Sequence, residues 1–264
     1  MTLRETFEEA PELYDRVRPD YPEELFDDLA RLVGLLPGSR VLELGCGTGQ
    51  ATVSLARRGY RVVTVELGAG LAQVARRKLA PFPAVRVVNA AFEAWPLPAE
   101  PFDVVLAATS FHWIERAVRV TKSADALRLG GALAVVSTHH VAGGDEQFFA
   151  DVQRCYERWD SETPQGLRLP AAADVPCDRE ELDASGRFSR LVLRRYEREL
   201  TYSASEYRDL LLSYSGHRAM EPDAQRGLLS CIVRLIDERY DGQIAKRYMN
   251  ELAVAYVSRR SALA

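Results

Sequence analysis

The chain is short of cysteine, of long apolar runs and of long runs of one charge, and each shortage excludes something. Its 264 residues hold four cysteines, Cys46, Cys155, Cys177 and Cys231, none close enough to another for a C-x-x-C pair. That spacing argues against a zinc site. Four scattered thiols read instead as reduced cysteines of a cytoplasmic protein. No segment approaches the ~20 apolar residues of a membrane-spanning helix. The opening MTLRETFEEAPELYDRVRPD is acidic and lacks the apolar stretch of a signal peptide, so neither leader nor span is expected. Basic residues cluster only in groups such as Arg76, Arg77 and Lys78, and the net charge is −4. A surface that tracks a phosphate backbone carries more positive charge, so nucleic acid is not an expected partner. Internal repeats and low-complexity segments are missing too.

What is present is apolar substance, 47 % of residues, enough for the core of one domain with a sizeable insertion. Residues 23–35 place Leu25, Leu29, Leu32 and Val33 at helical spacing, with Pro37 and Gly38 beyond. From there to Thr138, strands and helices alternate. RVLELG, RVVTVEL, VRVVNAA, FDVVLAATS and ALAVVST read as five strands, with helices between, the last of these over 115–128. The strands are apolar runs without alternation, so both faces are buried, as in a parallel sheet between helix layers. Right-handed crossovers make it a doubly wound α/β sheet. After Thr138, DEQFFADVQRCYERW (145–159) is one amphipathic helix, 189–201 a sixth strand, 203–213 and 221–240 helices, and the final QIAKRYMNELAVAYVSRR a seventh strand. The prediction is a single domain with a core at about 36–140, 187–202 and 243–260. Helical segments inserted after strands five and six, with the N-terminus (about 1–22, 141–186 and 203–242), form a lid over the sheet's ligand edge.

The sharpest local signal is VLELGCGTGQ, residues 41–50. Gly45, Gly47 and Gly49 follow strand one, where a doubly wound sheet binds ligands. Glycine lets the turn bend sharply and lets a ligand touch backbone. Dinucleotide sites use G-x-G-x-x-G and receive a pyrophosphate. Here the spacing is G-x-G-x-G with Glu43 before it, and a carboxylate repels a pyrophosphate but attracts an ammonium or a sulfonium. Glu66, at the end of strand two, can accept hydrogen bonds from both hydroxyls of a ribose. The pair suits an adenosine-bearing cation.

These stretches resemble the class I S-adenosylmethionine-dependent methyltransferases. VLELGCGTG is similar to their first motif, VVTVEL to the second, and VNAAFEAWPLP with FDVVLAATSFHWI to the third and fourth. YDRVRPDYP (14–22) and the pair His112–Trp113 further resemble a small-molecule subgroup related to trans-aconitate methyltransferase. The resemblance implies a Rossmann-like sheet of seven strands with the last antiparallel, and S-adenosylmethionine as cofactor. It implies that Gly45 and Gly47 lie under the methionine part and that Glu43 acts near the ammonium. Glu66 would hold the ribose and Leu67 pack beside the adenine, with the backbone of Phe92 facing that ring. Thr109 would offer a carbonyl to the ammonium. Ala91 stands where the family often has an aspartate for the adenine amino group, so either that hydrogen bond is missing or Glu93 or Asn89 makes it. Arg18 is the candidate for the cofactor carboxylate, which a guanidinium grips with two hydrogen bonds, and Tyr14 and Tyr21 could close over that end. Tyr21 and Pro22 could equally just cap the first helix.

Methyl transfer is an in-line displacement governed by positioning. His112 is the candidate general base or substrate hydrogen-bonding group, or else a structural histidine of the pocket. Trp113 is expected in the pocket wall, and His139 and His140 follow strand five. Tyr214 and His217, in SYSGHRAM, are candidates for the acceptor pocket. Phe148, Phe149, Tyr156 and Trp159 form an aromatic stripe that reads first as packing. A small-molecule acceptor is the leading expectation. An RNA or protein methyltransferase and a non-catalytic cofactor-binding protein are the alternatives, and a NAD-dependent dehydrogenase is the more distant one.

Overall fold

The computed structural model describes residues 10–160, 162–177 and 180–258. In chain order the elements are α1 (Pro11–Val17), α2 (Glu23–Val33), β1 (Arg40–Leu44), α3 (Gln50–Arg57), β2 (Arg61–Glu66), α4 (Ala69–Leu79), β3 (Val85–Asn89), β4 (Phe102–Ala108) and α5 (Arg116–Ala126). There follow β5 (Leu127–Gly144), α6 (Glu146–Asp151), α7 (Gln153–Trp159), α8 (Glu180–Ala184), β6 (Phe188–Ser203), α9 (Ala204–Leu212), α10 (Ser215–Arg218), α11 (Pro222–Arg239) and β7 (Gln243–Val257). The strands form one seven-stranded sheet in the order β3-β2-β1-β4-β5-β7-β6. β1 to β5 pair in parallel. β7 runs the other way: Ser258 N donates to Arg187 O at one end, and Ala204 N to Gly242 O at the other. The predicted doubly wound, Rossmann-like sheet with its last strand antiparallel is thus the observed one, with helical insertions after β5 and β6.

The described residues gather into two compact units. One draws on residues 10–18, 139–160, 162–176 and 197–249, the other on 19–138, 177, 180–196 and 250–258. In the second, the sheet unit, alternate residues of the central strands bury opposite faces. Val41, Val104, Leu106, Ala132 and Ala134 pack with Leu25, Phe26, Leu29 and Leu55 of the helices. Leu42, Leu44, Val105, Ala107 and Leu133 pack with Phe92, Phe102 and Ala126 on the other side. Each buried leucine contributes about 2 kcal/mol, which is why strand and helix register hold firm here.

The first, helical unit has its own core, in which Phe148, Tyr207, Leu210, Leu228, Ile232, Ile236 and Tyr248 are buried. Its α7 lies against α11 closely enough that a Cβ on Gly227 would meet the Trp159 ring at 2.5 Å.

Several boundaries differ from expectation. α2 stops at Val33 rather than near Pro37, because Gly34 takes a left-handed φ of 73° and its N–H turns back to Ala30 O. The helix expected over 145–159 divides at Val152 into α6 and α7. β5 begins at Leu127, not Ala132, and runs through Gly130–Gly131. Gly131 is needed within the strand, since a Cβ there would stand 2.9 Å from Asp103 O. Cys155 and Cys231, expected as free thiols, form a disulfide joining α7 to α11; Cys46 and Cys177 remain free. The last residues of the expected core, 259–260, and the first nine of the expected lid lie outside the described residues.

Candidate active site

The carboxyl ends of β1, β2 and β4 bring the predicted cofactor residues of the sheet unit together. Gly45, Gly47 and Gly49 all take positive φ, at 66°, 59° and 95°, a region that costs side-chain-bearing residues dearly. At Gly45 there is no room either: an added Cβ would sit 2.8 Å from Ser110 Cβ. Ser110 is held there by a short hydrogen bond from its hydroxyl to Leu44 O.

Glu66, the last residue of β2, is buried. Its Oε2 accepts from Gly47 N and its Oε1 from Gly68 N, both at 2.8 Å. One carboxylate thus ties the first glycine turn to the turn after β2. Asn89 steadies the same end, its Nδ2 donating to Glu66 O at 2.9 Å and to Leu67 O at 2.8 Å. Leu67 is 39 % exposed although apolar. Phe92 is buried, and Lys122 Nζ lies 5.1 Å from its ring centre. Ala91 caps the short turn after β3, its carbonyl accepting from Ala94 N and Trp95 N. The polar groups near it have other work: Glu93 Oε1 accepts from Glu115 N, and the Asn89 amide is committed to the two carbonyls at the end of β2.

Glu43 is fully buried on the α3 side of β1 and accepts a 2.7 Å hydrogen bond from Thr52 Oγ1. Burial pushes its carboxyl up to about 7; the Thr52 bond opposes this and the nearby Glu66 adds to it. Burial likewise raises the Cys46 thiol, with both carboxylates adding to the effect.

Thr109 departs most from ordinary backbone, with φ +56° just past β4, a conformation that clusters at functional positions. Its hydroxyl lies 2.9 Å from Tyr21 Oη and 3.2 Å from Thr138 Oγ1. Thr138 in turn accepts from Asn250 Nδ2 at 2.9 Å. A chain of four polar side chains therefore runs across the ends of β4 and β5 to β7. Tyr21 and Thr109 were expected near the cofactor; Thr138 and Asn250 were missed, and neither belongs to a recognisable motif.

His112 and Trp113 occupy a 3₁₀ turn, Phe111–Trp113, beyond β4, with ring centres 4.7 Å apart. His112 is exposed. Partial dehydration, then the charge of Arg119, holds its pKa below the ordinary histidine value, so it is a neutral proton acceptor at pH 7. Arg119 fixes the turn by donating to Phe111 O at 3.1 Å while paired with Glu181.

The helical unit holds the remaining predicted residues. Arg18 sits 4.8 Å from the Tyr14 ring centre and 4.3 Å from that of Tyr214, and its Nη2 donates to Ser213 O at 2.6 Å. His217 Nε2 lies 3.0 Å from Tyr156 Oη. Burial lowers the His217 pKa to about 4, with Asp160 opposing. His139 is half-buried at the start of this unit's share of β5. Its neighbour His140 packs on Tyr214 and Tyr248, at 5.7 and 5.4 Å between ring centres. Lys246 of β7 was missed and is buried. A signal existed: it shares the period-two face of Ile244, Tyr248, Leu252 and Val254, all buried.

Residues 41–131 match the family model described as a methyltransferase domain. This stretch is similar to a methyltransferase domain. The match begins at β1 and spans the glycine turn, Glu66 and the β4 end, and the resemblance to class I S-adenosylmethionine-dependent methyltransferases holds. An uncharacterized methyltransferase of Mycobacterium tuberculosis (strain ATCC 25618 / H37Rv) is 37 % identical over 133 residues, 50 % of this chain and 51 % of the relative. A trans-aconitate 2-methyltransferase of Paracidovorax citrulli is 36 % identical over 129 residues, 47 % of this chain and 48 % of the relative. The chain thus spans about half the length of the curated relatives it matches. A provisionally assigned type II methyltransferase of Anaeromyxobacter dehalogenans has a similar solved structure, with TM-score 0.61 at 24 % identity over 91 % of this chain and 97 % of that one; this is a likeness of fold. Among the described residues, no helix is long and apolar enough to cross a membrane, and no group of three or more His, Cys, Asp or Glu side chains is placed to hold a metal ion.

Proposed function

We propose that the chain transfers a methyl group from S-adenosylmethionine to a small-molecule acceptor. The observation that carries this is the turn where Gly45 is packed against Ser110 with no space for a Cβ, while Glu66 holds both flanking turns by their amides. The residues suit the group. Glu66 is the acid at the end of β2, where a ribose's hydroxyls would meet it, Leu67 offers an apolar face for an adenine, and Phe92 and Ala91 border the same end. Glu43, buried behind Gly45 and Gly47, provides negative potential for a cation. When bound, the cofactor supplies an electrophilic methyl on a sulfonium.

The chain's own part is to orient that methyl and receive the acceptor. Thr109 presents its strained backbone, with Tyr21 bonded to its hydroxyl. His112 serves as proton acceptor where the acceptor must lose a proton, and Trp113 as an apolar wall. Tyr14 and Arg18 stay in the cofactor assignment, and His139, Tyr214 and His217 in the acceptor assignment, on the strength of the sequence resemblance. A small acceptor is supported by the relative named for trans-aconitate and by a net charge of −4. The cytoplasm stays the proposed compartment, although the Cys155–Cys231 disulfide overturns the reduced-thiol argument for it; trapping both as free thiols in cells would support it, and trapping the intact bridge would overturn it.

Calorimetric titration with S-adenosylmethionine and S-adenosylhomocysteine, with NAD as control, is the test. Micromolar binding of the first two alone is expected. Failure of both to bind, or binding of NAD, overturns the proposal.

A further inference from the structure

Lys246 is 4 % exposed, yet it has neither an ion pair nor a hydrogen bond among the described residues. What surrounds its ammonium is aromatic: Nζ is 4.5 Å from the Phe149 ring centre and 5.6 Å from that of Tyr248. Ring faces recover only part of the cost of dehydrating a cation.

The neighbours do not repair the imbalance; they add to it. His140 packs edge-on against Tyr248 and lies 3.5 Å, Nε2 to Oη, from Tyr214. Arg18 stacks on the other side of the cluster, 4.3 Å from the Tyr214 ring centre. Every charge that perturbs His140 is positive, from Lys246, Arg18, His139 and His217, and with burial they hold it down to about 3. The nearby carboxylates are engaged elsewhere: Asp145 accepts from Ala245 N, Asp151 from Tyr240 Oη and Arg239, and Asp160 from Thr163 Oγ1. Burial alone lowers the Lys246 pKa to about 8, with no carboxylate contributing. Among the described residues, no carboxylate pairs with Lys246 in this basic, aromatic-walled place, and perturbed buried groups of this kind mark binding sites.

We propose that Lys246, with His140 close by, receives an anionic oxygen group of the acceptor, a carboxylate or a phosphate, in the helical unit. Identifying the anion as the acceptor's rests on the methyltransferase reading above; the anion site itself does not.

The experiment follows the thermal midpoint of the full chain in rising acetate or inorganic phosphate, against sodium chloride at matched ionic strength. Saturable stabilisation by at least one oxyanion is expected. Lys246→Met should shift that saturation by about tenfold or more, the scale of one lost charged hydrogen bond, and Lys246→Arg should largely keep it. The arm that saturates at lower concentration tells carboxylate from phosphate. S-adenosylhomocysteine titration of both variants reports whether each is folded and keeps its cofactor. Equal anion response in wild type and Lys246→Met overturns the proposal, as does a wild type that responds to neither anion beyond the chloride control. If instead the cofactor fails to bind wild type while the anion response is present and depends on Lys246, the methyltransferase reading falls and the anion site stands.

Discussion

The amide of Gly47 donates to Oε2 of Glu66 at 2.8 Å, across 19 positions of sequence. The bond makes the glycine turn and the ribose-type acid one unit, so neither can be altered alone. Glu66→Ala should weaken S-adenosylhomocysteine binding by about 1–3 kcal/mol, the worth of charged hydrogen bonds, and should also loosen the turn by leaving the Gly47 and Gly68 amides unpaired. Calorimetry on the variant measures the first effect and amide exchange at both glycines the second. Unchanged affinity would mean that the ribose lies elsewhere.

Gly45→Ala meets two obstacles, a φ of +66° and a Ser110 Cβ at 2.8 Å. A loss of about 1–3 kcal/mol in urea unfolding is expected from overpacking and strain. Ser110→Gly in the same chain should recover part of that loss. Strict additivity of the two changes would place the clash somewhere else.

Glu43 makes stability depend on pH. Its folded pKa, about 7, lies above the ordinary 4.5, so the native state holds a proton that the unfolded chain releases. The associated stability is fully present below about 4.5 and is lost as pH rises through about 7. Relative to Glu43→Gln, the wild type should lose on the order of 3 kcal/mol between pH 5 and pH 8. Binding a sulfonium or ammonium favours the ionised carboxylate, so S-adenosylmethionine affinity should rise over the same interval. Parallel pH profiles for wild type and variant would remove Glu43 from the site's electrostatics.

The Cys155–Cys231 bridge closes a loop of 76 residues within the helical unit. Its reduction should cost about 2–4 kcal/mol, read as a lower melting temperature in dithiothreitol. Thiol titration in denaturant should find only Cys46 and Cys177 before reduction. Detection of all four thiols in the unreduced protein would refute the pairing.

His112→Ala tests the proposed base. With an acceptor that must lose a proton, kcat should fall about 10²-fold or more, while S-adenosylhomocysteine affinity stays the same. An unaffected kcat would make the histidine a support for the Phe111–Trp113 turn.

The sheet was legible because its strands are valine and leucine runs with one physical solution, burial on both faces. The turn after β1 was legible because its positive φ at 45 and 47 asks for glycine, and Glu66 because an acid there holds the Gly47 and Gly68 amides. What stayed hidden depends on distance along the chain. No local pattern pairs Cys155 with Cys231, or brings Thr138 and Asn250 to Thr109. The break at Val152 lies inside an uninterrupted helical pattern, where tertiary packing overrides periodicity. Lys246 was legible in principle, but a lysine in an alternating strand is ordinarily read as solvent-facing.

The side-chain row from Tyr21 to Asn250 also has a direction. The Asn250 amide donates to Thr138, whose oxygen is thereby an acceptor with one proton of its own to place. Passed to Thr109, that proton lets Thr109 give its own to Tyr21, and the tyrosine can then aim its hydrogen onward. Asn250 Oδ1, buried and without a partner, sits at the tail of this arrow. An aspartate at 250 would reverse every step, turning Tyr21 from a group that offers a hydrogen into one that seeks it. A residue at the far end of the row would thus set the polarity of the hydroxyl beside Thr109 without touching anything that binds there.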